Sequence, residues 1–122
     1  VSETDDVTQP LRNALGRMKN GRILRMNNGA AKTPDGRKIV FGVSGYPDLG
    51  GLISLSAPCA SCGHVPAPVG RWAGIETKTD VGRLNDDQKA FHAMVRKYNG
   101  LIEVARTVEE GIEIARRWGA IL

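Results

Sequence analysis

The chain has 122 residues, 41% of them apolar and 25% charged, with a formal net charge of +4 from 17 Lys and Arg against 13 Asp and Glu. This length supports one core and not two, and the composition is that of a globular chain rather than a disordered or fibrous one. No apolar run approaches the roughly 20 residues of a membrane-spanning helix, and the opening VSETDDVTQP has neither the basic start nor the apolar stretch of a secretory leader, so a single cytoplasmic domain over residues 1–122 with no membrane partner is expected.

In chain order, Val7, Leu11, Ala14, Leu15 and Met18 recur at helical spacing and predict a first helix, with Thr8 as its N-cap, Pro10 in its first turn and frayed residues before it. After Asn20-Gly21, the runs RILRM (22–26) and IVFGV (39–43) predict two strands. The intervening NNGAAKTPDGRK reads as a loop ending in the turn Thr33-Pro34-Asp35-Gly36. Ser44-Gly45-Tyr46-Pro47-Asp48-Leu49-Gly50-Gly51 then breaks regular structure before the apolar LISL, leaving Asp48 at the lip of a third strand. Residues 57–70 are proline-rich, carry Cys59, Cys62 and His64, and read as an excursion between strands.

RWAGIETKT alternates, so Ala73, Ile75 and Thr77 face one side and Gly74, Glu76 and Lys78 the other. A helix starts at Asn85, shows an apolar face of Phe91, Met94, Val95 and Tyr98, leaves His92 on its more exposed side and ends at Gly100. LIEVA is a strand, and Thr107-Val108-Glu109-Glu110 is a capping box opening a last helix that carries Val108, Ile112, Ala115 and Trp118. The predicted order is α-β-β-β-β-α-β-α. Strand, helix and strand across residues 72–105 predict a right-handed crossover, hence two parallel strands in a mixed sheet.

Phosphodiester hydrolysis needs a hard divalent cation held by carboxylate oxygens, and a cationic group beside it. Asp48 at one strand's lip and Glu76 with Lys78 on one face of another strand supply that set if the sheet pairs the two strands. Thr77 can add its backbone carbonyl as a metal ligand, and Lys78 can orient or deprotonate the attacking water. Plainer readings exist for each residue. Asp48 can close a Pro-Asp turn, Glu76 and Lys78 can form a surface ion pair worth under about 1 kcal/mol, and Gln88 can cap a helix reciprocally with Asn85. The absence of GxGxxG, a P-loop or a nucleophile paired with a base argues against nucleotide-cofactor or acyl-transfer chemistry. The positive charge favours a polyanionic partner.

Pro47-Asp48 followed by Glu76-Thr77-Lys78 resembles the PD-(D/E)xK nuclease superfamily. More narrowly, the chain resembles the VRR-NUC family through Arg25-Met26-Asn27-Asn28-Gly29, Phe41-Gly42-Val43, Gly45-Tyr46-Pro47-Asp48-Leu49, Ile75-Glu76-Thr77-Lys78, Gly82-Arg83-Leu84 and Gln88, in order over most of its length. The resemblance implies an α/β, restriction-endonuclease-like mixed β-sheet flanked by helices. It also implies Mg²⁺ or Mn²⁺ on Asp48 and Glu76, Lys78 as the catalytic lysine and Gln88 as a motif residue beside the site. The implied activity is a DNA endonuclease, homodimeric and structure-specific in the manner of enzymes that resolve Holliday junctions, working in the host cytoplasm if phage-encoded. The superfamily often adds an acid from the first helix; Glu3, Asp5 and Asp6 all precede Pro10, and Glu3 is the candidate ligand. Arg25, Asn27, Asn28 and Lys32 are placed to hold the DNA backbone, or else form an ordinary polar turn.

The cysteine excursion departs from that family's pattern. Cys59, Cys62 and His64 offer three soft ligands where structural Zn²⁺ takes four, so a zinc loop and a plain loop with free thiols both remain open. The competing functional class is a non-catalytic nucleic-acid-binding module with such a loop, whose salt-sensitive binding would survive Glu76→Ala with no nicking.

Overall fold

The computed structural model describes residues 4–26 and 29–122. A π-helical turn, Thr4–Thr8, runs directly into α1, Gln9–Leu15. Pro10 lies in the first α-helical turn, where a missing N–H is tolerated. The segment expected to fray from residue 4 onward is therefore helical. Thr8 is not a side-chain cap: its backbone is already helical, and its hydroxyl turns inward to Thr77.

The remaining elements are β1 (Gly21–Arg25), β2 (Gly29–Lys32), β3 (Lys38–Phe41), β4 (Leu49–Leu55), β5 (Val69–Thr77), α2 (Asp86–Lys97), β6 (Leu101–Ala105) and α3 (Val108–Trp118). Five strands precede α2 rather than the four expected, because GAAK, read as loop, pairs antiparallel with β3. Its sequence has no β-branched or aromatic residue to announce a strand. Turn chemistry forms it instead. Thr33 N–H donates to Arg37 O at 2.8 Å and Arg37 N–H donates to Thr33 Oγ1 at 3.0 Å, closing a hairpin that carries β2 into register.

The main sheet has the order β1-β4-β5-β6 and is mainly antiparallel; only β5 and β6 run parallel, as the strand–helix–strand pattern predicts. Three helices flank it. On one face α1 and α3 enclose the core, where Leu11, Leu15, Ile53, Ile75, Ile114 and Ala115 lie buried. α3 buries Gly111, Ile114 and Ala115, while Val108, Ile112 and Trp118 line the margin. Of its expected capping box the forward half is present, Glu110 N–H donating to Thr107 Oγ1 at 3.0 Å.

α2 covers the opposite face beside β6. Its expected apolar stripe is corrected. Val95 is buried and Phe91 half-buried, but Met94 and Tyr98 are exposed, whereas His92, placed on the exposed side by the sequence, is 2% exposed. The inward stripe runs through Gln88, His92 and Val95, spaced four and three residues apart, as one helical face requires. On the β1–β4 half of this sheet face Leu24 and Leu52 remain exposed. Among the described residues, no helix is long and apolar enough to cross a membrane.

Candidate active site

The ladder between β4 and β5 ends at the pair Leu49–Ile75, with Asp48 one residue before it and Glu76 one residue after it. Glu76 faces α2 through Gln88, whereas the Asp48 carboxylate is turned to Thr77, whose hydroxyl also meets Thr8 at the start of α1. Lys78, just past the end of β5, continues the alternation: its Nζ lies 3.9 Å from Glu76 Oε1, with the lysine side chain 12% exposed. Of the three residues expected to converge, Lys78 contacts Glu76, and Asp48 is held on Thr77, the residue between them, at the same end of the two central strands.

Asp48 is held from two directions. The turn leading into it seats Gly45 against the start of α2 so closely that a Cβ there would lie 2.3 Å from Asp87 O, and its φ of +85° is one that side-chain-bearing residues rarely adopt. The Ser44 hydroxyl bonds Asp87 in the same turn. From the sheet, Thr77 donates twice to Asp48 Oδ2, through its N–H at 2.9 Å and its hydroxyl at 2.8 Å. A threonine hydroxyl has one proton, and the carboxylate takes it, so the Thr8 hydroxyl is the donor in its own bond to Thr77 Oγ1. Thr77 was expected to contribute its backbone carbonyl to a metal; its observed contribution is to orient Asp48.

Glu76 is 2% exposed, and a carboxylate so buried costs several kcal/mol unless its charge is compensated. Besides Lys78, Gln88 Nε2 donates to its Oε1 at 3.1 Å. Gln88 also caps α2: its Oε1 accepts from Asn85 N–H at 2.9 Å and its own N–H donates to Asn85 Oδ1 at 2.8 Å. Gln88 is thus at once the helix cap and a hydrogen-bond partner of Glu76.

His92, one helical turn beyond Gln88, is the neighbour that sequence reasoning missed. Burial pushes its imidazole below the usual range, and the charges of Arg96 and Lys78 push it further the same way. Its Nε2 has no hydrogen-bond partner among the described residues. The available signal was its i+4 spacing from Gln88; the aromatic residues beside it drew the apolar stripe to the wrong side.

The other candidates lie elsewhere. Glu3, Asn27 and Asn28 fall outside the described residues. Arg25, at the end of β1, is exposed, its Nη1 3.5 Å from Gln9 Oε1, and Lys32 is exposed at the end of β2. Cys59 and Cys62 are exposed free thiols. Their turn is closed by Cys59 N–H to His64 O at 2.7 Å and Gly63 N–H to Cys59 O at 2.8 Å. Backbone N–H groups of Cys62 and Ser61 aimed at Cys59 hold its thiol below the ordinary value. His92, buried under α2, is not available to this loop as a fourth zinc ligand.

Among the described residues, no group of three His, Cys, Asp or Glu side chains is set to hold a metal ion. The Asp48–Glu76 pair nevertheless fits Mg²⁺ or Mn²⁺ in its donor chemistry, since such hard cations take carboxylate oxygens, and Mg²⁺ is commonly held by one or two of them with waters completing the shell. Comparisons with protein-family models, with curated proteins and with solved structures return no match. The fold is a mixed α/β domain with a mainly antiparallel sheet and three flanking helices.

Proposed function

We propose that this chain is a divalent-metal-dependent DNA endonuclease of the PD-(D/E)xK type, VRR-NUC-like with a restriction-endonuclease-like core, which acts as a homodimer on branched DNA. The observation that carries the reading is Glu76. It is buried in spite of its charge, lies next to Thr77, which holds Asp48, and is contacted at Oε1 by both Lys78 and Gln88. A hydrophobic residue would serve the core better there, and buried carboxylates with a specific cationic partner cluster at functional sites.

Mg²⁺ or Mn²⁺ held by Asp48 and Glu76 would supply positive charge to the scissile phosphate and a more acidic attacking water. Thr77 fixes the Asp48 rotamer and Gln88 fixes that of Glu76, so neither carboxylate reorganises when substrate arrives. Lys78 offers ammonium protons to the nucleophilic water and to charge building on the phosphate. Arg25 and Lys32, both exposed, meet backbone phosphates on either side. Exposed Leu24 and Leu52 supply apolar contact for a twofold dimer, whose paired sites match the symmetry of a junction.

The test is cleavage of four-way, flap and linear DNA with Mg²⁺ and with EDTA. Cleavage should require the metal, favour the junction, and fall by about 10²–10³-fold or more in Lys78→Ala. Cleavage that persists in EDTA, or full activity in Lys78→Ala, overturns the reading. Salt-sensitive binding that survives Glu76→Ala with no nicking at any metal concentration would make the chain a binding module instead.

A further inference from the structure

The sheet face that carries Glu76 continues along β5 into an aromatic cleft. Gly74 and its cross-strand partner Gly50 have no side chains, and the Trp72 ring lies over the space this leaves: a Cβ on Gly74 would fall 2.6 Å from Trp72 Cη2, and one on Gly50 3.1 Å from Trp72 Cζ2. Tyr46 and Phe91 close in on the same ring. The Tyr46–Trp72, Tyr46–Phe91 and Trp72–Phe91 centroids are 5.7, 5.0 and 6.0 Å apart, at interplanar angles of 86°, 55° and 61°. None of the three rings is stacked face to face on another. With Met94, Tyr98 and Gly100 they line a cleft of about 220 Å³.

Ordinary helix-on-sheet packing would bury such side chains, yet Met94 is 43% and Tyr98 70% exposed. No residue lining the cleft is acidic, and a lysine stands beside one of its walls: Lys97 Nζ lies 5.5 Å from the Tyr98 ring centroid. Each wall also adjoins a residue of the candidate active site. Tyr46 is two residues before Asp48, Phe91 three after Gln88, and Trp72 four before Glu76 on the same strand face, about 13 Å along it.

We propose that this cleft receives an unpaired nucleobase of the substrate strand, stacked among Tyr46, Trp72 and Tyr98, with Lys97 toward its flanking phosphates. The inference rests on the nuclease reading and narrows its substrate to DNA that exposes an unpaired base within a few nucleotides of the cut. Flat aromatic surfaces take any base, and cations beside them hold the backbone, which is the general chemistry of single-strand recognition. The site therefore selects for strand opening rather than for sequence.

The experiment is a titration in EDTA, so that neither metal nor cleavage enters the readout. Trp118→Phe protein, in which Trp72 is the remaining tryptophan, is titrated with a single-stranded thymidine oligonucleotide and with the same oligonucleotide made fully abasic. The normal strand should quench Trp72 fluorescence, and the abasic strand should bind about tenfold more weakly without quenching it. Tyr98→Ala, at an exposed position and checked for retained helicity, should remove most of that difference. Equal binding of the two strands, or discrimination unchanged in Tyr98→Ala, overturns the cleft. So does a change of oligomeric state in Tyr98→Ala with strand discrimination intact, which would assign the surface to a second copy of the chain. Loss of Mg²⁺-dependent cleavage with base-dependent quenching retained would sink the nuclease reading and leave the base site standing.

Discussion

The two ends of the β4–β5 ladder are built from the same pair of strands and differ in almost everything else. At the Leu49–Ile75 end, side-chain bonds tie elements together: Thr8 to Thr77, Thr77 to Asp48, Ser44 to Asp87 and Gln88 to Glu76. At the Leu55–Val69 end the strands run into residues 56–68, all exposed, where Cys59 takes its backbone partners from within its own turn. Backbone pairing is shared by both ends, so pairing alone does not decide how firmly a strand end is held. Side-chain bonds between elements do. Each contributes only about 1 kcal/mol net, but together they fix rotamers that backbone pairing leaves free.

The largest effect should come from breaking the pinned end at Thr77. Thr77→Val keeps the shape, removes the hydroxyl between Thr8 and Asp48, and leaves the buried Thr8 hydroxyl and the half-buried Asp48 carboxylate each one bond short; a loss of about 1–3 kcal/mol is expected in urea unfolding. An unchanged midpoint would mean that this end is no firmer than the other. A smaller effect should appear at His92 as a pH dependence. Its folded pKa lies below the ordinary value of 6.5, so below that pH the unfolded chain binds a proton that the native state refuses. Stability should then fall as pH drops from about 7 toward 5.5, by at most about 1.4 kcal/mol per pH unit from this group. His92→Gln should flatten that slope in urea midpoints measured across the range, and an identical slope would show that the imidazole is not held neutral. The smallest effect belongs to the loose end. Cys59→Ser should leave the urea midpoint unchanged. The Cys59 thiol should nonetheless react with iodoacetamide near neutral pH faster than a cysteine in an unstructured peptide, as peptide mass mapping would read.

What the sequence made legible followed from local period and local caps. Alternation placed Glu76 and Lys78 on one face of β5, and Asn85 with Gln88 marked the start of α2. What it hid depended on partners distant in sequence or on competing patterns. β2 has no strand propensity of its own and exists through β3. The hydroxyl contact of Thr8 joins residues 69 apart, which no local spacing encodes. His92 was misplaced because Met94 and Tyr98 have the composition of a core stripe while lining an open cleft. That Asp48 and Glu76 stand at the same end of the β4–β5 ladder was legible only conditionally, since it required β4 and β5 to be neighbours in a register that no single strand reveals.

The amide of Gln88 has its two ends assigned to different tasks: the oxygen to the first turn of α2, the nitrogen to Glu76. Neither end can be exchanged for the other, because Asn85 N–H demands an acceptor and the carboxylate demands a donor. Glutamate at this position would keep the cap and set two negative charges against each other, and methionine would lose both bonds. This side chain is an interlock between the start of α2 and the candidate site. A helix start that has not yet formed, or that melts, takes the Gln88 bond away from the Glu76 carboxylate at the same moment.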